Sequence, residues 1–175
     1  MNDIFVEQLV KKKRDSKDYL KVILSIVGAL VIIALLGLLS GFVPFLGMFM
    51  LFVVIGIIYV LYLIITSVNM EYEYAFTSGE LDVDKIINAR KRKRLTSFEI
   101  KDMEILASCK NPDFNRYANN PKIEILYACA DKNGDDLYFT VYNEDGHSRM
   151  LIFNPNERIL DGFRTMAPRK VFLDK

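Results

Sequence analysis

The hydrophobic pattern divides the chain into an uncharged stretch and a part with alternating polar and apolar residues. No Lys, Arg, Asp, Glu or His occurs between Val22 and Met70. One helix needs about 20 apolar residues to cross a hydrocarbon core of roughly 30 Å, so this stretch has room for two. Gly41-Phe42-Val43-Pro44 interrupts it, and Gly and Pro in such a position end a helix. The pattern predicts a transmembrane hairpin over residues 22–66, with helices at about 22–41 and 45–66.

Residues 71–175 have the pattern of a β-rich domain. Polar and apolar side chains alternate with a period of two from Glu71 onward, which is typical of strands that bury one face. Turn residues at Ser78-Gly79, Asn133-Gly134 and Asp145-Gly146 predict hairpins between successive strands. We therefore expect about seven short antiparallel strands, arranged as a sandwich or an open barrel.

A helix is predicted at the end of this domain. Asn154 is a capping residue, Pro155 suits the first helical position, and Glu157 would complete a capping box. One helical face then carries four apolar residues, which are Ile159, Leu160, Phe163 and Met166. We expect this face to close one open side of the strands.

The first 21 residues form a short amphipathic segment followed by a basic cluster. Ile4, Phe5 and Leu9 fall together at helical spacing, which allows a short helix in the lipid headgroup layer. The alternative is that the basic cluster serves only to orient the spans. The cluster comprises Lys11, Lys12, Lys13, Arg14, Lys17 and Lys21.

The distribution of basic residues predicts the side on which each part lies. Basic residues in short flanks stay in the cytoplasm. They precede the first span and recur at residues 90–94 after the second, whereas the turn between the spans has no charge. Two crossings also return the chain to its starting side. We expect a multi-pass protein of the inner (cell) membrane, with both termini and the domain of residues 71–175 in the cytoplasm.

Small residues in the first span indicate where helices could approach one another. Gly37 and Gly41 have the spacing that brings two helix backbones close together. They could form a face for self-association or for another membrane protein, pack within the hairpin, or, at Gly41, serve the turn. Neither span carries an ionisable residue. Ion and proton pathways usually need such groups, so a channel or a transporter is not expected.

The run Arg90-Lys91-Arg92-Lys93-Arg94 is the strongest candidate site. Alternation along a strand would put its three arginines on one face and its two lysines on the other. Near the inner leaflet, each exposed cation adds about 1 kcal/mol of attraction to anionic lipid headgroups. The competing interpretation is a charged strand edge that discourages aggregation and pairs with acidic residues of the preceding strand. The chain has 23 basic and 22 acidic residues, so no nucleic acid partner is expected.

The sequence lacks the spacing of the common catalytic and metal sites. His147, the single histidine, falls in a turn, and Cys109 and Cys129 do not have a zinc-binding arrangement. Residues 131–136 place Gly at the wrong position for a calcium loop. We therefore expect no metal, no cofactor and no enzymatic activity, and we expect both thiols to be reduced in the cytosol.

The order of these motifs resembles a known family. Residues 72–83 give a strand, a turn and a second strand, basic residues then lead to Leu95–Ile100, and the domain closes with Ile152–Glu157. This order is similar to that of bacterial PH-like domains, which often follow a two-helix membrane hairpin. The whole chain resembles small membrane proteins of unknown function from Gram-positive bacteria. The resemblance implies a PH-like domain capped by a C-terminal helix, and it implies no activity.

Three functions are compatible with the sequence. The first is a non-enzymatic, membrane-anchored module with a structural or protein-interaction role at the inner leaflet, using residues 4–14, 90–94 and 108–122 as contact surfaces. The second is a module that binds or senses anionic lipid through the basic strand. The third is an accessory subunit of an envelope or export complex that uses the hairpin for helix packing.

Overall fold

A computed structural model describes residues 5–173, which divide into two compact units. One unit is the helical segment Arg14–Asn69. The other contains the chain up to Lys13 together with the β-rich part that begins at Met70. The helical segment is therefore inserted, in sequence, between two parts of one β-rich unit.

Two long apolar helices, α1 (Ser16–Ser40) and α2 (Pro44–Ser67), make up the helical unit. Each is long and apolar enough to cross a membrane, with mean hydropathies of 3.1 and 2.9, so the two predicted apolar helices are confirmed. α1 begins earlier than predicted because Asp15 and Asp18 form a capping box around its first turn. Just outside the helices, Arg14 donates a hydrogen bond of 2.7 Å to Asn69.

The first sheet contains four antiparallel strands in the order β1-β2-β3-β4. They are β1 (Phe5–Lys11), β2 (Met70–Thr77), β3 (Glu80–Ile87) and β4 (Lys91–Glu99). The two strands β1 and β2 are neighbours in the sheet although the whole helical unit separates them in sequence.

Strand β1 corrects the interpretation of the N-terminal segment as a helix. Residues 5–11 are extended and pair with β2 along their whole length. The apolar spacing permits a helix, but the edge of β2 offers this segment a full set of backbone hydrogen bonds. Pairing also lets Val10 join the core and Val6 pack against it. Ile4, which the helical interpretation included, lies outside the described residues.

The second sheet contains five strands in the order β6-β8-β7-β5-β9. β5 pairs in parallel with β9, and β6 pairs in parallel with β8, so the expected purely antiparallel arrangement is wrong. The described residues thus form nine strands in two separate sheets, and eight of these, β2 to β9, lie in the part of the chain where about seven were expected. The strands are β5 (Met103–Ser108), β6 (Glu124–Ala128), β7 (Tyr138–Glu144), β8 (His147–Phe153) and β9 (Val171–Phe172).

Two of the three predicted hairpin turns are confirmed. Ser78-Gly79 joins β2 to β3, and Asp145-Gly146 joins β7 to β8. In both turns two successive residues have positive φ, as a two-residue hairpin of this kind requires. The hairpin predicted at Asn133-Gly134 is wrong, because β8 lies between the two strands that it connects. A turn signal fixes the local direction of the chain and does not decide which strands pair.

The main core lies between the two sheets and is closed by helix α4 (Glu157–Met166). Ile159 and Phe163 of α4 are fully buried, as the apolar pattern predicts, whereas Met166 is 41% exposed. The predicted cap is wrong by two residues: Asn156 caps α4 by accepting a hydrogen bond of 3.0 Å from the backbone N–H of Ile159.

A smaller core covers the opposite face of the second sheet. Helix α3 (Asp113–Ala118) packs Phe114 and Tyr117 against Phe139 of β7. The polar stretch 108–122, which the sequence suggests as a contact surface, contains this helix. At least part of the stretch therefore has a structural role, because it shields the outer face of the second sheet from water.

Candidate functional site

Strand register gathers basic residues at one end of the first sheet. Lys11 is the last residue of β1. It pairs with Glu71 of β2, which pairs with Ile86 of β3, and Ile86 pairs with Arg92 near the start of β4. The turn between β3 and β4 lies at the same end. We call this region the basic end and define it by four exposed cations, which are Lys11, Arg90, Lys91 and Lys93.

Two arginines of the candidate run bind acidic residues of their own sheet. Arg94 donates to Asp84 over 2.6 Å and also binds Asp82. Arg92 pairs with Glu73 and lies 3.8 Å from Asp84. The side chains of Asp84 and Glu73 are only 11% and 13% exposed. The arginines therefore compensate partly buried carboxylates, which would otherwise lose stabilising interactions on leaving water.

The electrostatics of Arg94 fit this pairing. Burial alone lowers the pKa of its guanidinium, but the hydrogen bonds and charges of Asp84 and Asp82 raise the pKa by more. Arg94 is therefore positively charged at every physiological pH. A cation that is held by two carboxylates is a poorer ligand for an external anion than a free one.

The other three residues of the run have different surroundings. Lys91 and Lys93 are exposed on β4, and Arg90 is exposed in the turn that precedes it. Asn88 and Ala89 adopt positive φ in this turn, so Arg90 does not continue the strand alternation that would group it with Arg92 and Arg94. Within residues 5–173, none of Arg90, Lys91 and Lys93 has a carboxylate within 4.0 Å.

Sequence reasoning missed the long-range part of this arrangement. Lys11 reaches the basic end only because β1 pairs with β2, and Glu73 meets Arg92 across β3. Glu and Asp alternate with apolar residues in β2 and β3, and β4 begins with a basic run, so the sequence signals charged strands. It does not signal which charges become neighbours.

The structure places the small residues of the helical unit at different positions along the two helices. A Cβ atom added at Gly37 would meet nothing within 4 Å among the described residues, and Gly41 ends α1 beside the turn. A groove of about 420 Å³ runs between the two helices. Its lining includes Ser25, Gly28, Ala29 and Gly56.

A hydrogen-bonded cluster joins the two sheets. Thr96 Oγ1 of β4 lies 2.7 Å from the Tyr142 hydroxyl of β7 and donates to Glu144 over 2.9 Å. Arg149 of β8 also binds Glu144. Burial raises the pKa of Tyr142 to about 12, so its hydroxyl is protonated at neutral pH. A cluster whose members bond to one another in this way fixes the packing of the sheets.

Metal-binding groups are dispersed in the part of the chain that the structure describes. No group of three His, Cys, Asp or Glu side chains is close enough there to hold a metal ion. His147 is exposed at the start of β8. Cys109 and Cys129 are free thiols, and burial, with a smaller contribution from Cys129, raises the pKa of Cys109 to about 12.

Comparisons with known proteins agree with the architecture. Searches of curated proteins and of solved structures found no match. A family model described as a bacterial PH-like domain matches residues 2–173, which is nearly the whole chain, including the two apolar helices and β1. The chain therefore belongs to the family of bacterial PH-like domains designated DUF6106.

Proposed function

We propose that this protein is a non-enzymatic, membrane-anchored PH-like module with a structural or protein-interaction role at the inner leaflet of the cell membrane. The observation that carries the proposal is the position of α1 and α2 between two neighbouring strands of one sheet. A membrane anchor built into the middle of a domain, rather than attached to its end, ties the domain to the bilayer through two points of the chain.

The pairing of β1 with β2 supports the topology of this proposal. Strands that exchange backbone hydrogen bonds lie on the same side of a membrane, so the helices between them make an even number of crossings. Basic residues flank the helical unit on this side, from Lys11 to Lys17 and at residues 90–94. Since basic flanks are retained in the cytoplasm, the β-rich unit is cytoplasmic.

The topology is tested in intact cells with a cysteine that reacts with an impermeant maleimide. Phe42→Cys, in the turn between the helices, is expected to react from outside. Glu7→Cys and Asp145→Cys, in β1 and in the β7–β8 turn, are expected to react only after the cells are opened. Labelling of either cytoplasmic position in intact cells contradicts the proposal.

The interaction role is tested by crosslinking in native membranes, followed by purification through a C-terminal tag. We expect a partner in a fixed ratio to the tagged chain. The matched control is the tagged chain solubilised before the crosslinker is added. Recovery of the chain alone and as a monomer argues against a protein-interaction role.

The basic end favours a second function, which is recognition of anionic lipid. Arg90, Lys91 and Lys93 are exposed and, among residues 5–173, have no carboxylate partner, unlike Arg92 and Arg94, so they are available to phosphate groups. Only residues 68 and 69 separate α2 from β2, and this junction lies at the same end of the first sheet. Three cations near an anionic surface contribute roughly 3 kcal/mol of attraction at about 1 kcal/mol each.

Nanodiscs distinguish this function from simple anchoring. The full-length protein is placed in phosphatidylcholine alone or with phosphatidylglycerol, and hydrogen exchange is measured over residues 86–94. Phosphatidylglycerol is expected to slow exchange there, and added salt is expected to reverse the effect. The protection should disappear when Arg90, Lys91 and Lys93 are changed to Gln.

A charge-matched variant controls for the loss of three positive charges. Lys101, Lys122 and Lys132 are also exposed lysines of the β-rich unit, and their change to Gln should leave the lipid-dependent protection intact. Equal loss in both variants, or no dependence on phosphatidylglycerol, contradicts lipid recognition by the basic end.

A further inference from the structure

Among the residues that the structure describes, strand β1 has an open edge along the side that faces away from β2. The backbone N–H of Lys12 donates to Met70 of β2, so the even-numbered residues of β1 point their backbone groups toward β2. The odd-numbered residues point the other way. On this outward side, the backbone N–H of Lys13 donates a hydrogen bond of 2.7 Å to the carbonyl of Ala130. Within the described residues, Glu7, Leu9 and Lys11 have no backbone partner on the open side.

The exposed face of β1 is apolar at two positions. Phe5 and Leu9 are 62% and 64% exposed, and they lie on the face of the first sheet opposite the core. Edge strands are commonly protected by charged residues, by bulges or by being short. The other edge of this sheet, β4, begins with the charged residues 91–94, and β9 in the second sheet has two residues. By comparison, the centre of β1 is poorly protected.

The charges of β1 are complementary to a second copy of the same strand. In an antiparallel pair with Leu9 opposite Leu9, Glu7 of each copy lies opposite Lys11 of the other. All three positions have outward backbone groups, so this register allows a continuous hydrogen-bonded ladder. Glu7 and Lys11 have no ion-pair partner among the described residues. Opposite charges directly across a ladder stabilise it, and two apolar residues at its centre do so as well.

We propose that two copies of this chain associate through β1, with antiparallel pairing of residues 7–11 about Leu9. The pairing extends the four-stranded sheet of each copy into one sheet of eight strands and places both Leu9 side chains together. The ladder ends at Lys11, because the next outward N–H, that of Lys13, is already bonded to Ala130. Such an interface is isologous, as is usual for homodimers.

The dimer is tested by disulfide formation in native membranes. Leu9→Cys is made in the full-length chain with Cys109→Ser and Cys129→Ala, and the membranes are oxidised. In the proposed register the two Cα atoms lie within the range that a disulfide spans. We expect a product of twice the 20.2 kDa chain mass. Ser97→Cys, on edge strand β4 of the same sheet, is the matched control and should give little product.

Charge reversal tests the register and separates it from misfolding. In the Leu9→Cys background, Glu7→Lys or Lys11→Glu alone should reduce the dimer several-fold, because like charges then face each other. The two changes together restore the complementary pairs and should restore the product. The proposal is overturned if Leu9→Cys gives no more disulfide-linked product than Ser97→Cys. It is also overturned if the single reversals leave the amount of product unchanged, or if the double reversal does not restore it.

Discussion

At the scale of single residues, Gly162 of α4 is in a position where a larger side chain does not fit. A Cβ atom there would lie 2.5 Å from Cε1 of Phe76, a fully buried ring of β2. The helix therefore approaches the first sheet more closely than any residue with a side chain would allow. This contact explains why a poor helix former occurs in the middle of a short helix.

Gly162→Ala is expected to destabilise the protein although alanine favours helix. Alanine gains about 1 kcal/mol in helix propensity, but forcing a methyl group against Phe76 costs about 1–3 kcal/mol. The net effect should be a lower midpoint in urea unfolding, followed by circular dichroism. Asp161→Ala, at the exposed neighbouring position, should change stability by less than about 0.5 kcal/mol. A raised midpoint for Gly162→Ala would show that the helix can move away.

The thiol of Cys109 should be nearly inert in the folded protein. A pKa of about 12 leaves only about one thiol in ten thousand ionised at pH 8, and the thiolate is the reactive form. Cys129 is buried, and its pKa is also raised, chiefly by burial. Iodoacetamide at pH 8 should therefore label both residues far more slowly in native protein than in urea. Equal labelling rates would contradict the burial of these thiols.

At the scale of elements, β1 supports α4 through one side chain. Gln8 donates to the backbone carbonyl of Asn154 over 2.8 Å and accepts from the N–H of Asn156 over 2.7 Å. Asn156 is also the cap of α4. The N-terminal strand therefore helps to fix the start of the C-terminal helix, a connection between residues almost 150 positions apart in sequence.

Gln8→Ala should loosen the start of α4. The change leaves a carbonyl and an amide without their partner, at a cost of roughly 1–3 kcal/mol. Hydrogen exchange of residues 156–160 should become faster in the full-length protein. Glu7→Ala provides the neighbouring control, since Glu7 points out of the domain, and it should leave this exchange unchanged. Unchanged hydrogen exchange in Gln8→Ala would mean that the start of α4 does not depend on the hydrogen bonds of Gln8.

The elements that the sequence predicted are those whose signals are local. The uncharged stretch, the turns at Ser78-Gly79 and Asp145-Gly146 and the apolar face of α4 depend on near neighbours in the chain. The pairing of β6 with β8 and of β1 with β2 depends on distant partners. The turn chemistry of Asn133-Gly134 suits a hairpin that the sheet does not contain. The apolar spacing of residues 4–9 fits either a helix or an edge strand.

The same division between local signals and distant partners applies to the candidate site. Local composition indicated the basic run 90–94, but it gave no means of telling paired from unpaired cations. The register shift between Val83 and Asp84 brings Arg94 opposite Asp84, and the side chain of Arg92 reaches diagonally across β3 to Glu73. Both pairings form only in the folded sheet. The sequence alone therefore could not tell the paired Arg92 from its neighbour Lys93, which has no carboxylate partner among the described residues.

At the scale of the whole molecule, the β-rich unit should fold without its membrane helices if its first strand is kept. The N–H of Lys12 is bonded to Met70, so these two residues are positioned to close a two-residue turn. A variant in which Asn-Gly replaces residues 13–69 should therefore be soluble and cooperatively folded. Circular dichroism and thermal unfolding would measure this.

The matched control is the fragment of residues 70–175, which lacks β1. Its β2 has an open edge, and it loses the hydrogen bonds that Gln8 makes to the start of α4. It should be less stable than the joined variant and more prone to aggregate. Equal stability of the two proteins would show that β1 is dispensable to the domain.

The insertion of the helices between β1 and β2 also has a consequence for biosynthesis. About 60 residues separate the end of β1 from the start of β2, and ribosomes add about 5–20 residues per second. The first strand is therefore made roughly 3–12 seconds before its partner exists. Both apolar helices are synthesised during that interval. The first sheet can therefore be completed only after the whole helical segment has been made.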